Sequence, residues 1–191
     1  MKRLLLVCVC IASFAAAGAQ VQVAAKGGFN FSTLVGEDNS GAKTKVGLHV
    51  GALVHLPVTK RFSLQPEVVF STQGAKTDLG SDDDFRISLN YLNVPILAKF
   101  KAGSGFFAET GPQLGFLLNA QAKAGGKSAD IQEFYKKTDF GWAFGVGYQV
   151  LQVGVNARYN LGLMNIREDD GNIKARNGVF QLGVYYIFNA K

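Results

Sequence analysis

The sequence predicts an all-β protein, an antiparallel barrel closed on itself with its bulky face outward, and three observations carry that prediction. The first is alternation. In Phe140, Trp142, Phe144, Val146 and Tyr148 every second residue is large and apolar, while Asp139, Gly141, Ala143, Gly145 and Gly147 between them are small or acidic. That is the period-two mark of a strand with two unlike faces. The second is how the contrast is dealt out: the slim face carries glycine and small polar groups, the bulky face the aromatics. A small barrel has room inside for only a few layers of side chains, so aromatic rows fit better outside, against lipid, around a narrow polar lumen. The third is spacing. Connections alternate long and short, which puts long loops on one rim and tight turns, with both termini, on the other.

The strands follow in order. The first, from Val21, sets Val23, Ala25, Phe29 and Phe31 against Ala24, Lys26, Gly28, Asn30 and Ser32, and a polar stretch from Val35 to Lys45 then breaks the pattern. The second sets Val46, Leu48, Val50, Ala52, Val54 and Leu56 against Gly47, His49, Gly51, Leu53 and His55, and Pro57 to Arg61 is its turn. The third runs from about Phe62 to Gly74, with Leu64, Val68 and Phe70 outward and Gln65, Glu67, Val69 and Gln73 inward. Pro66 cannot donate to the ladder, so a bulge or local gap is expected there. After an acidic loop, Ala75 to Arg86, the fourth strand puts Leu92, Val94, Ile96, Ala98 and Phe100 outward and Tyr91, Asn93, Leu97 and Lys99 inward. Pro95 marks a second expected bulge.

A tight turn at Gly103-Ser104-Gly105 leads into the fifth strand, where Ala108, Thr110, Leu114, Phe116 and Leu118 oppose Glu109, Gly111, Gln113 and Gly115. Ala120 to Lys137 reads as the longest irregular segment, with one short helical piece in Asp130 to Lys137. The sixth and seventh strands join near Gln149-Val150, with Val153, Val155, Ala157 and Tyr159 facing away from Gln152, Gly154, Asn156, Arg158 and Asn160. The loop Asn165 to Asn177 precedes the eighth strand, in which Phe180, Leu182, Val184, Tyr186 and Phe188 oppose Gln181, Gly183 and Tyr185.

The 191 residues suit one domain. Lys2 and Arg3, the apolar Leu4 to Phe14 and the small-residue motif Ala17-Gly18-Ala19 form an export signal, predicting removal of residues 1–19 and a barrel domain over 20–191. Beyond that signal no run reaches the roughly 20 apolar residues of a spanning helix, so a membrane form of this chain has to be a closed barrel. Cys8 and Cys10 both lie in the removed piece, which leaves no disulfide framework. The net charge is +6, and +4 with 18 basic against 14 acidic residues once Lys2 and Arg3 are gone. That excess is weak evidence for a polyanionic partner, and no basic run interleaved with aromatics points to nucleic acid.

Gly28-Phe29-Asn30-Phe31-Ser32, Leu64-Gln65-Pro66-Glu67, Tyr91-Leu92-Asn93-Val94-Pro95, Gly111-Pro112-Gln113 and Arg158-Tyr159-Asn160-Leu161-Gly162-Leu163 together resemble the small eight-stranded outer-membrane β-barrel, the OmpA-like or "porin-family" domain of Gram-negative bacteria. The resemblance covers essentially the whole mature chain. It implies an up-and-down transmembrane barrel in the cell outer membrane, with short periplasmic turns and long extracellular loops. It also implies contact with the barrel assembly machinery, which reads an aromatic terminal strand such as Phe180 to Phe188. Asn189, Ala190 and Lys191 depart from that terminal pattern.

An eight-stranded barrel is wide enough only for its own side chains. The inward set Lys26, Glu67, Lys99, Glu109, Asp139 and Arg158 is therefore expected to form a structural charge network, with Lys99 directly across from Glu109 and Arg158 a diagonal neighbour of Asp139. Phe70, Phe100, Phe116, Phe140, Trp142, Phe144, Tyr148, Tyr159, Phe180, Tyr186 and Phe188 are the expected lipid-facing aromatics. His49 and His55 are the only histidines and both point inward; Ser63 and Glu67 near His55 are the nearest thing to a hydrolytic constellation, without an oxyanion site. Asp82, Asp83 and Asp84, and Glu168, Asp169 and Asp170, lack calcium-loop spacing. Lys123, Lys127, Lys136 and Lys137 are placed to meet lipopolysaccharide phosphates.

The expected protein is thus a monomeric outer-membrane barrel with a filled lumen and a structural or surface-interaction role. Its partners are membrane lipids, lipopolysaccharide and the assembly machinery, with an extracellular ligand unspecified. No enzyme activity, cofactor or metal is expected. A small-solute or ion channel is the alternative, and an envelope-lipid hydrolase ranks behind it.

Overall fold

The structure, a computed structural model, describes residues 21–36, 43–77, 85–125, 127–168 and 175–188. The export signal, the acidic triplet Asp82 to Asp84, the pair Asp169 and Asp170, and the terminal Asn189 to Lys191 lie outside the described residues.

Eight long strands form the wall among the described residues: β1 (Gln22–Val35), β2 (Lys43–Pro57), β3 (Phe62–Thr77), β4 (Phe85–Lys101), β5 (Phe106–Ala124), β7 (Thr138–Val150), β8 (Val153–Gly162) and β9 (Arg176–Ile187). A short ninth, β6 (Lys127–Asp130), lies in the connection between β5 and β7. Every wall strand pairs antiparallel with its neighbours, and β1 pairs with both β2 and β9, which closes the ring. Closure leaves no sheet edge, the condition for backbone in hydrocarbon. No helix among the described residues is long and apolar enough to cross a membrane.

Alternation sorts the two faces as the sequence implies. Residues such as Phe29, Val50, Phe100, Phe144, Val146 and Leu182 are exposed on the outer wall, while Asn30, Ser71, Tyr91, Leu97, Lys99 and Arg158 are buried within. All the expected outer aromatics face outward, Phe140 half-buried and the other ten exposed.

Three local expectations give way: the Pro95 bulge, the irregular reading of the segment after Ala120 and the position of the β7–β8 turn. Pro66 leaves the local gap that was one of its two expected outcomes, the β3–β4 register running unchanged from Pro66↔Ile96 to Val69↔Asn93, whereas Pro95 makes no bulge, the β4–β5 register running unchanged from Pro95↔Gln113 to Ala98↔Thr110. The β4–β5 register shift falls at Asn90/Tyr91 instead, nearer the loop rim. Strand β5 extends to Ala124 and hairpins onto β6, pairing Lys123 with Ser128, so part of the segment read as irregular is sheet. The short helical piece expected within Asp130 to Lys137 is present as one 3-10 turn, Gln132–Phe134. The β7–β8 turn closes at Val150↔Val153, not at Gln149-Val150, with Leu151 forced to a left-handed φ of 51°.

Candidate functional site

The lumen is built in layers. At its waist, Arg158 reaches from β8 across to two carboxylates. Its Nη1 and Nη2 donate to Glu67 Oε2 and Oε1 on β3 at 2.9 and 2.8 Å, and its Nε and Nη2 donate to Glu109 Oε1 on β5 at 2.9 and 2.7 Å. Lys26 on β1 completes the charge balance, donating to Glu67 Oε2 at 3.0 Å. Gln65 Nε2 donates to Glu67 Oε1 at 2.8 Å, and Asn156 Nδ2 to Glu109 Oε1 at 3.0 Å. Two cations and two carboxylates, all almost fully buried, thus tie four strands through the axis. Fork geometry is what a guanidinium supplies and an ammonium does not.

Lys99 sits one layer toward the turns. It is the Cα partner of Glu109 as expected, yet its ammonium turns away, donating to Tyr185 Oη at 2.9 Å and to Gln65 Oε1 at 3.4 Å. It lies 3.7 Å from the Phe107 ring centroid and 4.7 Å from that of Tyr185, a cation–π seat out of water. Phe107 and Tyr185 pack with Ala24, Leu53 and Ile187 into an apolar floor at the turn rim. Glycine makes the room: a Cβ on Gly147 would strike the Phe107 ring and one on Gly154 the Tyr185 ring. Alternation already sets Ala24, Leu53 and Tyr185 inward; Phe107, not among the inward residues expected from the sequence, shares the parity of Glu109 and Gly111 and stands opposite Gly147 in register.

The next layer toward the loops is neutral. Asn30 Nδ2 donates to Leu48 O, Ser71 Oγ and Thr72 O at 3.1, 2.9 and 3.0 Å, which fixes its carbonyl oxygen as the acceptor from Gln181 Nε2 at 2.9 Å and leaves His49 Nδ1, at 2.8 Å, the donor. Asn30 therefore stands between His49 and Ser71. Higher still, Asp139 accepts from Asn177 Nδ2 at 2.8 Å and does not reach Arg158. The two-residue turn at Leu151-Gln152 puts Arg158 opposite Gly145, six residues along β7 from Asp139. Asp139, Asn160 and Asn177 line a cavity of about 10 Å³ with Gln73 and Gln113, room for one water. Asn160 Oδ1 and Nδ2 and Asp139 Oδ1 find no protein partner there.

An apolar cap finishes the loop end. Tyr135 and Ile166, from two different loops, pack onto Leu34, Leu89, Tyr91 and Leu117. The loops clasp each other through Lys136 N to Ile166 O at 2.8 Å and Glu168 N to Phe134 O at 3.0 Å. Burial raises the pKa of the Tyr135 hydroxyl, against a smaller opposite pull from Arg167, so it enters the cap uncharged.

The hydrolytic grouping does not assemble. Register places His55 opposite Gln65, whereas Ser63 pairs with Pro57 and donates its hydroxyl to Lys99 O at 3.4 Å. Among the described residues no group of three or more His, Cys, Asp or Glu could hold a metal ion. The cations of the third long loop are separated, Lys123 and Lys127 on the β5–β6 hairpin and Lys136 and Lys137 beyond the 3-10 turn; Glu168 is exposed in the loop after β8.

Wall and lumen together define a class, the small eight-stranded transmembrane barrel whose interior is occupied by its own side chains. The chain belongs to the outer membrane protein beta-barrel domain family, which matches residues 14–168, and its place is the cell outer membrane. Among solved structures it is similar to Neisserial surface protein A, at 16% identity over 87% of this chain and 96% of that one, TM-score 0.57. It is also similar to Ail of Yersinia pestis in a phospholipid nanodisc, at 18% identity over 88% and 100%, TM-score 0.51. OprG of Pseudomonas aeruginosa is similar at 11% identity over 90% and 98%, TM-score 0.50. At such identities the likeness speaks for fold. No curated protein sequence matches the chain.

Proposed function

We propose that the protein is a non-conducting outer-membrane anchor that presents its loop end at the cell surface, with neither channel nor catalytic activity. One observation carries this reading: the lumen is blocked three times, by the apolar floor around Phe107 and Tyr185, by the Arg158–Glu67–Glu109–Lys26 waist and by the cap of Tyr135 and Ile166. A permeating ion has to displace an apolar layer at each end and compete with paired charges between them. Catalysis is disfavoured because His49 and His55 are each engaged with a carboxamide residue and face no activated hydroxyl. The barrel works as a single chain held by hydrocarbon around its wall, having been delivered by the assembly machinery through its aromatic last strand.

The test is conductance. Refolded protein in planar bilayers is expected to give no steps above background, and stepwise openings of the unmodified chain would replace this reading with the channel.

A further inference from the structure

The carboxylates of the lumen are not treated alike. Glu67 and Glu109 each have a cationic nitrogen of Lys26 or Arg158 within 3.0 Å. Asp139, nearer the loops, has no such nitrogen in ion-pair reach among the described residues, and its side-chain partner is the neutral carboxamide of Asn177, on Oδ2. Its other oxygen, Oδ1, is buried and bonds nothing. Lys26 and Arg158 are engaged by the two glutamates, and Lys99 lies beyond the waist with its ammonium on Tyr185 and Gln65. A carboxylate drawn out of water without a counter-charge is costly, so Asp139 calls for a partner that the chain does not supply.

Space for that partner is built into the strands. Gly141 on β7 and Gly162 on β8 are direct register partners, and where two side chains would meet inside the wall they leave the cavity of about 10 Å³. Asn160, 5% exposed, lines it with both carboxamide atoms unpartnered. Gln113 lines it too, and so does Gln73, whose Nε2 is taken up by Ser71 Oγ at 3.1 Å. Carboxamide oxygens therefore surround a single carboxylate. A water in the cavity would meet Asp139 Oδ1 and both atoms of Asn160 but cancel no charge, whereas a cation meets the two oxygens and cancels it. The charge decides between them. Hard oxygen donors carrying one formal charge suit a monovalent ion. Magnesium keeps several of its waters and calcium takes roughly 6–8 oxygens, more than a space of one water sphere admits.

We propose that the upper lumen is a site for one dehydrated monovalent metal cation, held by Asp139 Oδ1 and Asn160 Oδ1 with the carboxamides of Gln73 and Gln113 completing the oxygen set. Asp139 is only half-buried, which makes the loop side the way in. The ion is resident and not in transit, because the Arg158 guanidinium stands between it and the turn rim. The anchor does not require it, and conductance is a separate readout.

Folded full-length protein in lipid vesicles is unfolded in urea at neutral pH, in sodium chloride and in choline chloride of equal ionic strength. The folding constant is expected to rise with sodium, approaching about tenfold per tenfold of free ion once the site fills, and to stay flat in choline, whose ion is too large for the cavity. Asp139→Asn, equal in shape and without the charge, should abolish the sodium response, and Asn160→Leu should abolish or weaken it several-fold. Glu168→Gln on the exposed loop should leave it unchanged. Should one lumen variant lose the faster gel mobility of a folded barrel, the other is read. Equal curves in sodium and choline overturn the proposal in favour of a bound water or a protonated Asp139. A sodium response that survives Asp139→Asn or Asn160→Leu at full size overturns it as well, as does one lost equally in Glu168→Gln.

Discussion

The two faces of the same strands are held by opposite kinds of physics. On the outer face a residue needs only to be apolar, because its neighbour is fluid hydrocarbon: Phe144 is 53% exposed and Phe29 56%. Even the polar edge of Trp142 is settled locally, its Nε1 donating to Thr110 Oγ1 at 2.8 Å. On the inner face each group has named partners at fixed distances, and removing one strands the others in a place without water. Outward positions are therefore exchangeable in kind, and inward ones are specific.

The sharpest break of that contrast is Arg158→Ala. It leaves Glu67 with Lys26 and Gln65 and Glu109 with Asn156 and Gln65, and should destabilise the barrel by about 3–5 kcal/mol in urea unfolding from lipid vesicles. A loss below about 1 kcal/mol would show that water relaxes the waist freely.

Double-mutant cycles give the next largest effect. Arg158 and Glu109 should couple by about 1–3 kcal/mol. Lys99 and Glu109, though opposite in the backbone register, should add within about 0.5 kcal/mol because the Lys99 ammonium bonds Tyr185 and Gln65. Coupling as strong as that of Arg158 would put the ammonium back on Glu109.

Smallest should be Phe144→Leu on the outer wall, below about 1.5 kcal/mol as a hydrophobic exchange against lipid. A loss rivalling Arg158→Ala would mean that the ring is packed on protein.

Period two was enough to read the barrel and the membership of its interior, because alternation is a backbone property that survives any choice of partner. Lys26, Glu67, Lys99, Glu109 and Arg158 all fall inside as expected. Pairing was less legible, for two reasons. A two-residue change in the turn, Leu151-Gln152 for Gln149-Val150, displaces every β7–β8 partner and so parts Asp139 from Arg158. And long side chains choose partners across the axis: Lys99 starts opposite Glu109 and ends on β9. The β5–β6 hairpin escaped because Ala120, Gln121, Ala122 and Lys123 show too little contrast for a face to be read.

The claim beneath all of this is that bulky residues meet lipid and ionic ones meet each other, and the single tryptophan, Trp142, reports on it directly. In vesicles carrying phospholipids brominated on their acyl chains, Trp142 fluorescence should be strongly quenched and aqueous iodide should add little. Efficient iodide quenching with no response to the brominated chains would contradict the account.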